Sequence, residues 1–140
     1  MSTPSNRPEP LPAIPLLARS MLGTSVVVLA IGAFLHAKRA FGDGPEALSW
    51  VAAGWAVAAT VLAVVVRGQG LVAPPACHPP LSPADATRRE RKTLVFFAIL
   101  ESGVVLAGVA LMASRPWSPF PAALLPLATM VLNLPSRGAV

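Results

Sequence analysis

The residue best placed to do chemistry in this sequence is Glu101, an acid in the middle of a long apolar segment. Between Lys92 and Arg115 lie 22 positions, and Glu101 is the only charged residue among them. A bilayer takes about 20 apolar residues to cross, so a helix of this length spans it. At about 1.5 Å per residue, Glu101 lies roughly 13 Å from Lys92, inside the hydrocarbon. An ionised carboxylate there costs on the order of a few kcal/mol, so we expect a neutral carboxyl.

Two interpretations of Glu101 remain open at this stage. In the first, the carboxyl binds and releases a proton, because ionisable residues inside a membrane commonly mark proton or substrate pathways. In the second, it is a neutral hydrogen-bond donor that holds helices together. The residues at helical spacing around it are mostly apolar, as both interpretations require: Leu94, Phe97, Ala98, Val104, Val105, Gly108 and Met112.

Other catalytic groups are scarce. There is no plausible Ser-His-Asp set, no glycine-rich phosphate loop and no metal-ligand spacing. The two histidines, His36 and His78, are expected on opposite sides of the membrane and so cannot form a bis-imidazole haem site. Cys77, the only cysteine, stands beside His78, and this pair is too small for a metal site. We therefore expect no catalytic residue, no cofactor and no metal, and a protein that is not an enzyme.

The composition indicates an integral membrane protein. Of 140 residues, 54% are hydrophobic and 12% charged, and the mean hydropathy is +0.65. A soluble domain carries about 25% charged residues. The 11 basic residues stand near the ends of apolar segments, where they anchor helices and set orientation. The expected partner is thus the lipid bilayer and not a nucleic acid.

Four apolar segments predict an all-α fold, a bundle of four transmembrane helices arranged as two hairpins. The predicted helices cover about 16–37, 47–66, 93–114 and 119–134, the last interrupted by Pro126. Residues 1–15 contain five prolines and predict a disordered tail. The linker 67–92 is proline-rich in its first half, and Asp85 or Thr87 is a candidate cap for the third helix.

The distribution of Lys and Arg predicts the orientation. Three basic residues, Lys38, Arg39 and Arg115, fall on one side of the predicted membrane. Eight fall on the other: Arg7, Arg19, Arg67, Arg88, Arg89, Arg91, Lys92 and Arg137. By the positive-inside rule, both termini and the 67–92 linker are cytoplasmic. We expect a multi-pass protein of the bacterial inner membrane.

Two further patterns concern packing. The second segment contains small residues four apart, which let helices approach closely within a bundle, a homo-oligomer or a larger complex: Gly54 and Ala58, Ala52 and Ala56, Ala59 and Ala63. In addition, residues 25–38 align without gaps to 102–115 with six of 14 positions identical. This match indicates a duplicated hairpin or the chance similarity of apolar helices.

Polar side chains fall at one depth in all four helices. They lie roughly 7–15 Å from the predicted cytoplasmic ends and comprise Thr24, Ser25, Thr60, Glu101, Ser102 and Thr129. Pro126 also leaves the carbonyl of Ala122 without its helical N–H. We expect Glu101 to face the bundle interior or an oligomer interface, not lipid, with at least one of these polar groups near enough for a protonated Glu101 to donate to it. In the alternative, each hydroxyl bonds a carbonyl of its own helix.

The segment RKTLVFFAILESGVVLAGVALMA (91–113) resembles the carboxylate-bearing helix of rotary ATPase proteolipid (c-type) subunits. There, too, a basic loop leads into an apolar helix with one mid-membrane Glu and small residues beyond it. The resemblance covers about 47–113 and implies proton binding at Glu101. This chain departs from the family in its long proline-rich linker, its two additional helices and the absence of a dense glycine repeat.

The whole chain is similar to uncharacterised four-helix bacterial membrane proteins with a Leu-Glu step and a Pro-Arg tail, a likeness that implies no activity. Small multidrug-resistance transporters are also similar in length and in their one embedded Glu, which lies in their first helix. The sequence therefore predicts a structural or accessory membrane component that packs against itself or a larger complex. Proton binding or proton-coupled transport through Glu101 is the alternative.

Overall fold

The computed structural model describes residues 13–38, 44–68 and 82–134. It contains four helices: α1 Ala13–Ala37, α2 Glu46–Arg67, α3 Pro83–Ala113 and α4 Pro119–Leu132. The described ranges hold no strand beyond one isolated bridge between Gly44 and Ser114. The predicted all-α helical bundle is confirmed. Most of the predicted tail, most of the proline-rich linker with Cys77 and His78, and the C-terminal residues 135–140 lie outside the described residues.

Three helices have the length and apolar composition needed to cross a membrane: Pro15–Ala37, Glu46–Arg67 and Pro83–Ala113. The chain is thus a membrane protein. The fourth helix has 14 residues, about 21 Å at the helical rise, against a hydrocarbon thickness of about 30 Å. By itself α4 therefore reaches across about two-thirds of the core.

The third helix begins earlier than its apolar segment predicts. Ser82 is its N-cap and accepts from the N–H of Asp85, Pro83 occupies the first turn, and the Ser82 hydroxyl donates to the Asp85 carboxylate at 2.6 Å. Neither predicted cap is used. Thr87 instead bonds the carbonyl of Pro83. Hydropathy marks only the membrane part of the helix, whereas Ala, Arg, Glu and Lys also favour helix in water.

The third helix is the centre of the bundle. It packs against α1, α2 and α4, while α4 packs mainly against α2 and α3. Within the described ranges α1 does not contact α2, although a short connection joins them. The two helices of the first predicted hairpin therefore lie on separate flanks of α3. Between those flanks, one stripe of α3 stays exposed, and we call it the open face: Val95, Ala98, Ser102 and Val109.

Small residues determine how closely the flanking helices approach. The α1 flank meets α3 at Gly32 and Gly108, and the α2 flank meets it at Gly103. On α2 the residues that turn inward are fully buried: Ala52, Ala56, Ala59 and Ala63. Two of the three predicted small pairs thus pack inside the bundle. The third pair, Gly54 and Ala58, is exposed.

Candidate functional site

Glu101 lies beside the open face, at the edge nearest α1. Successive helical residues are turned by about 100°, so the buried residues of α3 and the open face occupy opposite sides of the helix. Glu101 falls between them and is partly exposed, whereas Leu100 and Val104 are fully buried. No residue in the described ranges forms a hydrogen bond or an ion pair with its carboxyl.

The hydroxyls that were expected to meet Glu101 are used elsewhere. Three bond the carbonyl four residues earlier in their own helix, at 2.9–3.0 Å: Thr24, Thr60 and Thr129. The Ser25 hydroxyl lies 3.9 Å from the sulfur of Met130. The predicted partner for Glu101 within the chain is therefore wrong for the described residues, and this includes the Ala122 carbonyl. For these three threonines the alternative prediction is confirmed, in which each hydroxyl bonds a carbonyl of its own helix. The carbonyl four residues earlier is always within reach of a helical hydroxyl.

The open face carries a second polar group beside Glu101. The Ser102 hydroxyl donates to the carbonyl of Ile99 at 2.7 Å and accepts from the indole N–H of Trp55 on α2 at 3.2 Å. This bond ties α2 to α3 at the exposed edge opposite Glu101. A hydroxyl on the open face and a carboxyl beside it thus stand on adjacent residues of α3.

The C-terminal end of α3 is held by His36. From the sequence, His36 was considered only as a haem ligand, and that function was excluded. His36 Nδ1 lies 2.7 Å from the carbonyl oxygen of Leu111. A carbonyl only accepts, so Nδ1 carries the proton and donates to one of the last carbonyls of α3, which lack helical N–H partners. The Trp117 ring meets the imidazole edge-on, with centroids 4.2 Å apart. His36 therefore caps α3 from α1.

A second bond at the same end joins α2 to α3. The hydroxyls of Ser49 and Ser114 are both buried and form a hydrogen bond with each other, and Ser114 also bonds the carbonyl of Ala110 at 2.6 Å. Sequence reasoning missed this pair, since a lone serine near the end of an apolar helix gives no signal of its partner.

The opposite end is organised by Arg67, which the sequence marked only as a helix-end charge. Its guanidinium donates to the side-chain oxygen of Asn133 and lies over the Phe96 ring, 4.7 Å from the centroid. Asn133 in turn donates to the carbonyl of Thr129 at 2.7 Å. These contacts join α2, α3 and the end of α4 in one fixed arrangement.

No group of three potential metal ligands comes together in the part of the chain that the structure describes. Comparison of the chain with protein-family models, curated proteins and solved structures finds no match. The chemistry of the candidate site therefore depends on Glu101, Ser102 and the open face.

Proposed function

We propose that this protein is a structural or accessory component of the cell membrane, and that its open face receives a transmembrane helix from another chain. The observation that carries the proposal is the partly exposed carboxyl of Glu101 in the membrane part of α3, which has no hydrogen-bond partner among the described residues. The proposed location is the inner membrane, with both termini in the cytoplasm, as the distribution of basic residues predicts.

A carboxyl inside hydrocarbon requires a hydrogen-bond partner. Water is absent from the hydrocarbon, and an unsatisfied polar group there costs on the order of several kcal/mol. The hydroxyls that were expected to meet Glu101 bond carbonyls of their own helices or, for Ser25, contact the sulfur of Met130, and none of them bonds Glu101 among the described residues. A group on a second chain supplies the missing partner.

A second copy of this chain is the occupant that we favour. A neutral carboxyl is both donor and acceptor, so two Glu101 side chains related by a two-fold axis satisfy each other. A two-fold interface uses the same surface patch on both subunits. Ala98 and Ser102 on the open face are small, which permits close approach of two α3 helices.

Cysteine crosslinking in native membranes tests this arrangement, with Cys77→Ser as the background. Ala98→Cys on the open face should form a covalent dimer on oxidation. The matched control is Gly54→Cys, on the far side of α2, where an added Cβ meets no atom within 4 Å. Equal crosslinking at both positions would indicate random collision. A monomer without any crosslinked neighbour would contradict the proposal, and a heterologous adduct would replace the second copy with a partner protein.

Proton binding at Glu101 is the second candidate, and the same exposure favours it. A carboxyl that is partly exposed and has no hydrogen-bond partner among the described residues is open to proton exchange. A hydrophobic carbodiimide, which modifies protonated carboxyls, should then label Glu101 and block a proton flux in proteoliposomes. Labelling without any change in flux would leave only the structural function. Absence of labelling would remove the proton-binding candidate.

A further inference from the structure

Three cations gather at the corner where α2 ends against α3. Arg67 lies over the ring of Phe96. Lys92 and Arg89 precede Phe96 by four and seven residues, one and two turns, and so share its side of α3. A helical side chain leans toward the N-terminus, so the Phe96 ring and the guanidinium above it lie near the turn that carries Lys92.

The acids described at this end form no ion pair with the corner. Asp85 precedes Arg89 by four residues, and its carboxylate accepts from the Ser82 hydroxyl at 2.6 Å and pairs with no cation among the described residues. Glu90 is turned by about 100° from Arg89 and about 160° from Lys92. The positive charges of Arg67 and Arg89 act on each other unfavourably, and no ion pair to either is formed within the described ranges. An anion placed between them would relieve this repulsion.

We propose that Arg67, Arg89 and Lys92 form a binding site for the phosphate of an anionic membrane lipid. Arg67 is the last residue of a candidate membrane span, so the corner lies at the depth of the lipid headgroups. Asn133 and Phe96 fix its guanidinium, while Arg89 and Lys92 are exposed and close on the phosphate from α3. Basic residues next to a membrane helix attract anionic lipids, and guanidinium groups match phosphate oxygens in pairs.

This site is independent of the open face and of Glu101. The angular positions of Arg89 and Lys92 around α3 distinguish the proposed lipid site from the general positive charge at the start of that helix. Arg88 and Arg91 precede Phe96 by eight and five residues, which turns them by about 80° and 140° away from it. They carry the same charge and are also exposed, and so provide a matched control.

The test measures thermal unfolding of the full-length protein in a non-ionic detergent with added phosphatidylglycerol, phosphatidylcholine or inorganic phosphate. Phosphatidylglycerol alone should raise the unfolding midpoint. The double variant Arg89→Gln with Lys92→Gln should bind it roughly thirtyfold more weakly, from the typical contribution of two basic residues near a membrane surface. Arg88→Gln with Arg91→Gln should stay close to wild type. Both pairs are exposed, so neither endangers the fold.

Retention of phosphatidylglycerol through native mass spectrometry gives a readout that does not depend on stability. It should fall in the first pair and persist in the second. Equal losses of phosphatidylglycerol in the two double variants would mean that positive charge attracts the lipid without specificity, and would overturn the proposed site. An equal stabilisation by inorganic phosphate would assign the corner to a free anion instead of a lipid. No response of the wild type to phosphatidylglycerol would also overturn the proposal.

Discussion

Gly32 of α1 and Gly108 of α3 bring the backbones of these two helices into close contact. A Cβ on Gly32 would lie 2.5 Å from the carbonyl oxygen of Gly108, and a Cβ on Gly108 would lie 2.8 Å from Cγ1 of Val28. Both distances are too short for real atoms, so no side chain fits at either position. Because α1 has little contact with α4 and none with α2 in the described ranges, α1 is held in the bundle mainly by its packing on α3, of which this glycine contact is a part.

Gly108→Ala should destabilise the protein by about 1–3 kcal/mol, the usual cost of overpacking a tight interface. The helices would have to separate, because the obstructing atoms include the Val28 backbone. The matched control is Gly23→Ala on α1, where an added Cβ meets nothing within 4 Å. Thermal unfolding in detergent measures both. An unchanged midpoint for Gly108→Ala would show that α1 does not pack at this point.

Substitution of Glu101 should separate its hydrogen bond from its acidity. Glu101→Gln keeps a donor and an acceptor, so the dimer should survive. Glu101→Leu should weaken dimerisation roughly tenfold or more, since a hydrogen bond between membrane helices contributes about 1–2 kcal/mol. Dimer fractions in mild detergent measure the effect. Dimerisation unaffected by Leu would exclude Glu101 from the interface, and a Gln variant that dimerises but loses a proton flux would favour transport.

His36→Ala should cost about 1–2 kcal/mol, because it removes the donor to the Leu111 carbonyl and the edge-on contact with Trp117. The environment of Trp117 should change too, which near-ultraviolet circular dichroism detects. Thr24→Ala is the control, since this exposed hydroxyl bonds only its own helix. Similar small effects for both variants would mean that His36 does not cap α3.

Ser49 and Ser114 should be coupled. Ser49→Ala alone removes one hydrogen bond, worth about 1 kcal/mol, and leaves Ser114 bonded to Ala110. In a double-mutant cycle the two substitutions should therefore cost less together than the sum of their separate effects. Strict additivity of the unfolding free energies would contradict a direct bond between the two hydroxyls.

The predicted orientation has a chemical test in Cys77, the only cysteine. A membrane-impermeant maleimide should label Cys77 in inverted membrane vesicles and not in intact spheroplasts, because the rule for basic residues places the linker in the cytoplasm. Cys77→Ser is the control for unspecific labelling. Labelling in intact spheroplasts would invert the predicted topology.

The sequence determined the helices themselves. Long uncharged segments bounded by basic residues or by Pro and Gly cannot leave backbone groups unbonded in lipid, so they must be helical. The observed bounds of α2, Glu46–Arg67, differ from the predicted 47–66 by one residue at each end. The start of α3 was not predictable from hydropathy, since its first ten residues are helical but not apolar.

Only the tertiary structure decided which side of each helix turns inward. These helices are apolar on nearly all sides, so hydropathy does not distinguish residues that face lipid from residues that face the core. Gly54, which is exposed, and Ala56, which is buried, are both small apolar residues of the same segment. Depth along the membrane could be counted from the sequence, but rotation about the helix axis could not. That rotation places Arg67 over Phe96 and leaves Glu101 without a partner among the described residues of its own chain.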